Sequence, residues 1–466
     1  MEKHQQILNL EAYFASYRKN IIGVDQQIAT DRHRSIRMLY ADWTASGRCY
    51  WPIENQLLQE IMPLMANTHT DTSHSGAFIS RVYHEARQTI KAHVNASADD
   101  VLIASGSGMT DVVNKLQRLL GLRLPEPFRH RWQVPASERP VVFITHMEHH
   151  SNHTSWLETI ADVVVVSPNA RGEVETAQFE EAVARYNARP LKIAAITACS
   201  NVTGITTPYH DIARLVHHHG GYCFVDFACS APYVDIDMHP EDEEACLDAI
   251  YFSPHKFLGG PGSSGVLVFN KGLYQHHVPD NSGGGTVDWT NPWGGRKYVD
   301  DIEDREDGGT PPILQTIKAA LCIQLKEQMG VDRMAHREEE LLAILWEGLS
   351  GIPGVRILAP QHRNRLPIVS FYVEDQHFNT TVQLLNDHFG IQCRGGCSCA
   401  GTYGHYLLDI DQNQSQQITD LIDQGDTSAK PGWVRISLHP TMTDEEVRFI
   451  VGSVREVSGM RRAVDQ

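Results

Sequence analysis

Between residues 100 and 270 the chain repeats one pattern: a short apolar run, a polar cluster, then an amphipathic stretch. The apolar runs fall at 101–104, 141–145, 163–166, 193–197, 222–227, 247–252 and 266–269. Helical periodicity lies between most of them, at 110–120, around Trp156 and Leu157, at 179–185 and at 209–219. Strands alternating with helices build βαβ units, so the pattern predicts an α/β fold with a doubly wound, mostly parallel sheet. In such sheets ligands bind at the carboxyl ends of the strands, and here those ends carry the polar clusters.

The chain has 466 residues, enough for two domains. The expected division is an N-terminal helical segment at 1–35, packed on the small domain or on a dimer partner, a large α/β domain at 36–312, and a smaller α+β domain at 313–466. A long helical stretch from 313 to about 349 opens the last of these, with Thr310, Pro311 and Pro312 as its start signal. Residues 271–309 read as an irregular, Gly- and acid-rich loop. The net charge of -17, without a basic run, argues against nucleic acid and anionic membranes. No apolar run is long enough to span a bilayer, and the expected location is the cytoplasm. Nine scattered cysteines read as reduced thiols.

Several clusters carry chemistry. Lys256 sits in F-S-P-H-K (252–256), between two apolar runs and before a glycine-rich turn. It is either a solvated strand-end lysine or an amine held to form a Schiff base with a carbonyl cofactor. Ser107 and Gly108 lie in a Ser/Gly turn between a strand and a helix, an arrangement that cradles anions but is more often only a turn. His149 lies in M-E-H-H-S-N (147–152). These histidines have no matching thiolate or carboxylate elsewhere, and they are read without a metal. The triplet 217–219 suits the last turn of a helix. Residues 67–75 form a polar loop, including Asn67 and His69, that can line a site. R-G-G-C-S-C (394–399) puts cysteines beside an arginine, the setting of a reactive thiolate rather than of zinc.

Taken in order, M-E-H-H-S-N, S-N-V-T-G (200–204), V-D-F-A (225–228), F-S-P-H-K, G-G-T-P (308–311), R-G-G-C-S-C and V-R-I-S (434–437) resemble the class V aminotransferase and cysteine desulfurase family. These are fold-type I enzymes that use pyridoxal 5′-phosphate, and the resemblance covers about residues 39–457. It is nearest to the short-loop desulfurases. It implies that Lys256 carries the cofactor and that Asp226 pairs with the ring nitrogen. His149 would stack on the ring and Asn201 would bond its hydroxyl. Ser107, Gly108, Ser253 and His255 would hold the phosphate, and Thr310 would reach the phosphate of a neighbouring subunit in a homodimer. Cys229 stands where the desulfurases carry Gln or His. Arg435 would clamp the substrate carboxylate, with Arg394 as a lesser contact. Asn67 and His69 are further substrate-side candidates.

Cys399, five residues after Arg394, matches the desulfurase nucleophile, with Cys397 as the fallback. The implied reaction takes sulfur from L-cysteine onto Cys399 as a persulfide and releases alanine, and a sulfur-acceptor protein would follow. Two other readings stand beside it. One is a class V aminotransferase, epimerase or C–S lyase acting on another amino acid, motivated by Cys229 and by a long segment between Cys399 and Arg435. The other is a non-catalytic, cofactor-binding sulfur-relay platform.

Overall fold

The apolar runs become the strands of a seven-stranded sheet. The structure, a computed structural model, describes residues 9–29, 35–68, 70, 72–131 and 134–460. The strands are β1 Asp100–Ser105, β2 Val141–Thr145, β3 Asp162–Val166, β4 Lys192–Thr197, β5 Tyr222–Asp226, β6 Ala249–Phe252 and β7 Gly265–Asn270. Their spatial order is β1-β7-β6-β5-β4-β2-β3. The five strands from β3 to β6 pair in parallel, with Asp226 in register with Thr197 on one side and Tyr251 on the other. Only β7 runs against its neighbours. The cause is local: residues 253–264 contain no crossover helix, and a parallel return needs one.

Alternate strand residues explain why this sheet holds. Val101, Ile103, Val142, Ile144, Ile193, Ala195, Tyr251, Leu267 and Phe269 share one core with Val112, Val113 and Leu116 of the helix Met109–Leu119. The intervening residues, among them Leu102, Phe143, Ile196, Val225, Phe252 and Val268, are buried as well. Successive side chains point to opposite faces, so both faces of the sheet are covered. Each buried Val, Leu or Phe contributes roughly 1.5–3 kcal/mol.

The chain divides into two compact units. The sheet unit is Pro52–Ser200 with Thr206–Lys326; the second comprises the described residues of Met1–Trp51, Asn201–Ile205 and Glu327–Gln466. Within the second unit a four-stranded antiparallel sheet is built from β8 Val355–Ile357, β9 Ile368–Val373, β10 Arg394–Gly396 and β11 Trp433–Ser437, in the order β8-β9-β11-β10. Leu39–Tyr40 pairs in parallel with Ile391–Gln392, which ties the start of the described chain to this unit.

Three stretches differ from expectation. The long helix from residue 313 is two helices, Ile313–Met329 and Val331–Ser350, interrupted at Gly330, whose φ of 79° lies outside the helical region. The stretch 271–309 holds a hairpin, Val287–Thr290 with Arg296–Tyr298, and a short helix, Ile302–Glu306. The segment after Cys399 is helical at Gly401–Leu407 and at Gln412–Asp423. The second of these starts in a capping box between Asp411 and Gln414. No helix among the described residues is long and apolar enough to cross a membrane.

Candidate active site

In the sheet unit the polar residues gather where the strands end. β6 runs into a short 3-10 turn, Pro254–Lys256, and Lys256 is half-buried there. Ser253 turns its hydroxyl to the helix Met109–Leu119 and accepts the Met109 N–H at 2.8 Å. The N-cap of that helix is Gly108, which offers no side-chain cap. A Cβ at Gly108 would meet the Ser253 Oγ at 3.1 Å, so Ser253 closes directly over the helix start. On the other side a Cβ at Gly265 would lie 2.3 Å from the Gly108 carbonyl oxygen, so β7 approaches that turn as only glycine allows. Ser107 stands exposed at the mouth of the turn.

Asp226 ends β5 and is only 3% exposed. Its Oδ1 accepts the Ala228 N–H at 2.8 Å. Burial pushes its carboxyl up to about 6, against the pull of that N–H and of the Lys256 ammonium. A carboxylate in this position is short of a cationic partner. Burial, helped by the Lys256 charge, lowers His255 to about 4, so the ring is neutral at physiological pH. His149 caps the helix His150–Leu157, and its Nδ1 accepts the Ser151 N–H at 3.1 Å, which fixes the ring's orientation. Cys229 is buried close after β5.

Thr310 is exposed and lines a cavity of about 550 Å³ with Ser105, Gly106 and Lys115. Asn67 is exposed, and His69 lies outside the described residues.

Glu148, beside His149, received no role in the sequence reading. It is fully buried and accepts from the Thr145 N–H (3.2 Å), the Thr145 hydroxyl (2.6 Å), the Thr197 N–H (2.9 Å) and the Asn152 amide (2.7 Å). One carboxylate thus fastens the ends of β2 and β4 to the helix that His149 caps. Its burial pushes its pKa up, and the donors oppose that. The available signal was a glutamate inside an apolar strand end.

The second unit holds the remaining candidates. Arg435 lies on β11, 2% exposed, and donates from Nη1 to the Asn201 carbonyl at 3.0 Å and from Nη2 to Asp42 Oδ1 at 2.6 Å. Arg394, on β10, donates from Nε to Asp42 Oδ2 at 3.2 Å. The Asn201 amide donates to the Ser398 carbonyl at 2.8 Å. Among the described residues the Asn201 Oδ1 and the Arg435 Nε are buried without a partner. Buried polar atoms of this kind, of which these are two among several in the chain, are groups that a ligand can complete.

Cys397 to Ala400 form a turn closed by the Ala400 N–H on the Cys397 carbonyl at 3.0 Å. Both central residues are left-handed, Ser398 at φ 52° and Cys399 at φ 57°. Neither is glycine, so the turn stores backbone strain at its exposed thiol, Cys399. Trp433 steadies it by donating Nε1 to the Ser398 hydroxyl at 3.2 Å. Cys397 is half-buried, and burial pushes the Cys393 thiol up to about 12, with Asp42 adding to the rise.

Lys256, Asp226, His149, Ser107, Gly108, Ser253, His255, Cys229, Thr310 and Asn67 therefore belong to the sheet unit. Asn201, Arg394, Arg435, Cys397 and Cys399 belong to the second.

A large, mostly parallel sheet with a lysine on the turn after one central strand and an aspartate ending the next is the architecture of fold-type I pyridoxal-phosphate enzymes. The aminotransferase class-V family matches residues 39–450, and the chain belongs to that family. A probable cysteine desulfurase of Staphylococcus aureus is 28% identical over 83% of this chain and 88% of its own length. A probable cysteine desulfurase of Halalkalibacterium halodurans is 29% identical over 72% of this chain and 77% of its own. Among solved structures, the cysteine desulfurase of Thermococcus onnurineus superposes with a TM-score of 0.75 at 22% identity, over 96% of this chain and 98% of the other. A cysteine desulfurase of Escherichia coli gives 0.72 at 20% identity, over 95% and 98%. These last two establish the fold.

Proposed function

We propose that the protein is a pyridoxal 5′-phosphate-dependent cysteine desulfurase, working as a cytoplasmic homodimer. The residues fit the cofactor. Asp226 is a buried carboxylate whose raised pKa calls for a cation, and a protonated pyridine nitrogen is one. The helix Met109–Leu119 starts at a glycine without a side-chain cap and turns the positive end of its dipole to a phosphate, with Ser253 already seated on its first amide. Ser107, Gly108, Ser253 and His255 would hold that phosphate, with Thr310 serving the neighbouring subunit. His149 would lie on the ring and Asn201, with its unpartnered Oδ1, would meet the ring hydroxyl. Cys229 would stand beside the ring. When bound through Lys256, the cofactor supplies an electron sink for charge developing at the substrate Cα.

The protein's own groups do the rest. Arg435 holds the α-carboxylate of L-cysteine, Arg394 adds a second positive charge, and Asn67 and His69 are further substrate contacts. The Lys256 amine takes the Cα proton. The Cys399 thiolate attacks the substrate sulfur. The sulfur–carbon bond breaks, the sulfur stays on Cys399 as a persulfide, and alanine leaves once Cβ has taken a proton in place of the sulfur and Cα has regained the one that Lys256 removed. A sulfur-acceptor protein then collects the persulfide.

The observation that carries this reading is the exposed Cys399 thiol on a strained turn held in place by Asn201 and Trp433. The test is to incubate the holoenzyme with L-cysteine and a thiol reductant and to measure alanine and sulfide. Wild type should release both in equal amounts, and Cys399→Ser should release neither. Pyruvate and ammonia in their place would mean elimination. A class V enzyme acting on another amino acid is the second reading. Cys229, buried where the desulfurases carry Gln or His, is the observation in its favour.

A further inference from the structure

Arg394 and Arg435 are direct cross-strand partners in the register of β10 and β11. Two guanidiniums placed opposite each other repel and destabilise a sheet, and an anion between them offsets that cost. The anion is Asp42, whose two oxygens divide between them: Oδ1 to Arg435 at 2.6 Å and Oδ2 to Arg394 at 3.2 Å. Asp42 is itself fixed. It bridges in parallel to Ser437 at the end of β11, and the Thr44 N–H donates to the Ser437 hydroxyl at 2.9 Å. The Asp42 side chain is 13% exposed and that of Arg435 3%, so their charges are poorly screened by water. A further cation, Arg48, is engaged elsewhere: it lies over the Tyr40 ring at 5.0 Å and donates to the Ile22 carbonyl.

Two cations and one anion leave a single positive charge in excess. The buried Arg435 Nε has no partner among the described residues, and with the second N–H groups of its two Nη atoms it is available to an incoming carboxylate. We propose that Asp42 determines the charge specificity of the site: it neutralises one of the two arginines, so that the site takes amino acids bearing one carboxylate and discriminates against those bearing two. This rests on Arg435 being the partner of the substrate carboxylate. Asp42 acts through the arginines, as a positioning and charge-setting residue. It explains why a site with two arginines suits L-cysteine rather than an acidic amino acid.

The test uses the holoenzyme and reads binding rather than turnover. L-alanine, with one carboxylate, and L-aspartate, with two, are titrated against the cofactor's visible absorbance, and the ratio of their dissociation constants is compared across variants. In Asp42→Asn the preference should move toward L-aspartate by about tenfold, the change expected for one added, partly buried charge pair. Asp42→Glu, which keeps the charge, should keep the wild-type preference. Arg394→Gln should move the ratio further from L-aspartate, and the double variant Asp42→Asn/Arg394→Gln should return it to the wild-type value. Arg394 is exposed enough for its single variant to fold, so the charge argument stands or falls even where Asp42→Asn does not accumulate. A ratio unmoved in both single variants would make Asp42 a structural brace and overturn the proposal. L-alanine binding unaffected by Arg435→Lys would overturn the clamp reading beneath it, and the proposal with it.

Discussion

Asp226→Asn separates what the fold tolerates from what the chemistry needs. The substitution keeps the shape and keeps an oxygen to accept the Ala228 N–H at 2.8 Å. It removes only the charge. Without the cofactor that charge is a burden: the carboxyl sits at about 6 against an ordinary 3.8. A native pKa above the unfolded one means that the folded state binds the proton more tightly. The associated stability is therefore present below pH 3.8 and lost as pH rises through about 6. Roughly two pH units correspond to about 3 kcal/mol. The cofactor-free Asp226→Asn protein should thus be more stable than cofactor-free wild type at pH 8, by up to ~3 kcal/mol or several degrees in melting temperature, with the advantage shrinking toward pH 4. The holoenzyme should show the reverse in function: Asp226→Asn should retain cofactor poorly and lose nearly all turnover. Thermal unfolding of both cofactor-free proteins from pH 4 to pH 8 checks this. Equal melting temperatures across that range, or a variant that is less stable at pH 8, would refute the claim that Asp226 is a desolvated anion awaiting a cation.

Other expectations follow from the second unit. Arg435→Lys replaces a planar fork that reaches the Asn201 carbonyl and Asp42 at separate nitrogens by one compact ammonium, and steady-state kinetics should show the KM for L-cysteine raised about a hundredfold or more, with kcat reduced less. Trp433→Phe keeps one aromatic ring, leaves a small cavity where the rest of the buried indole stood, and leaves the Ser398 hydroxyl without its donor. It should cost about 1–3 kcal/mol of stability and slow persulfide formation several-fold in a single-turnover assay. Cys397→Ser should leave alanine release within about twofold of wild type, because the exposed thiol at the centre of the strained turn is Cys399; a loss as deep as that of Cys399→Ser would move the nucleophile to Cys397.

What the sequence made legible was periodic or local. Strand β6 and the lysine turn follow from an apolar run stopped by Ser253 and Pro254. The helix break at Gly330 and the capping box at Asp411 and Gln414 also carry local signals, a glycine inside a helical stretch and an Asp three residues before a Gln. The direction of β7 can be derived from the lack of a crossover helix in 253–264, but the order of the strands cannot, since it is set by packing between distant segments. Asp42 shows the limit most clearly. Nothing local to Asp42 marks its part, which emerges only when β10 and β11 place Arg394 opposite Arg435, more than three hundred residues further on. Glu148 is similar: a buried acid inside a strand-end motif has meaning only once the strands it fastens are side by side.

In the proposed reaction sulfur passes from L-cysteine to Cys399. Peptide mass spectrometry after a single turnover without reductant tests it most directly. The peptide carrying Cys399 should gain one sulfur atom, with one alanine released for each persulfide formed. An unmodified Cys399 in a protein that has nonetheless consumed L-cysteine would contradict it.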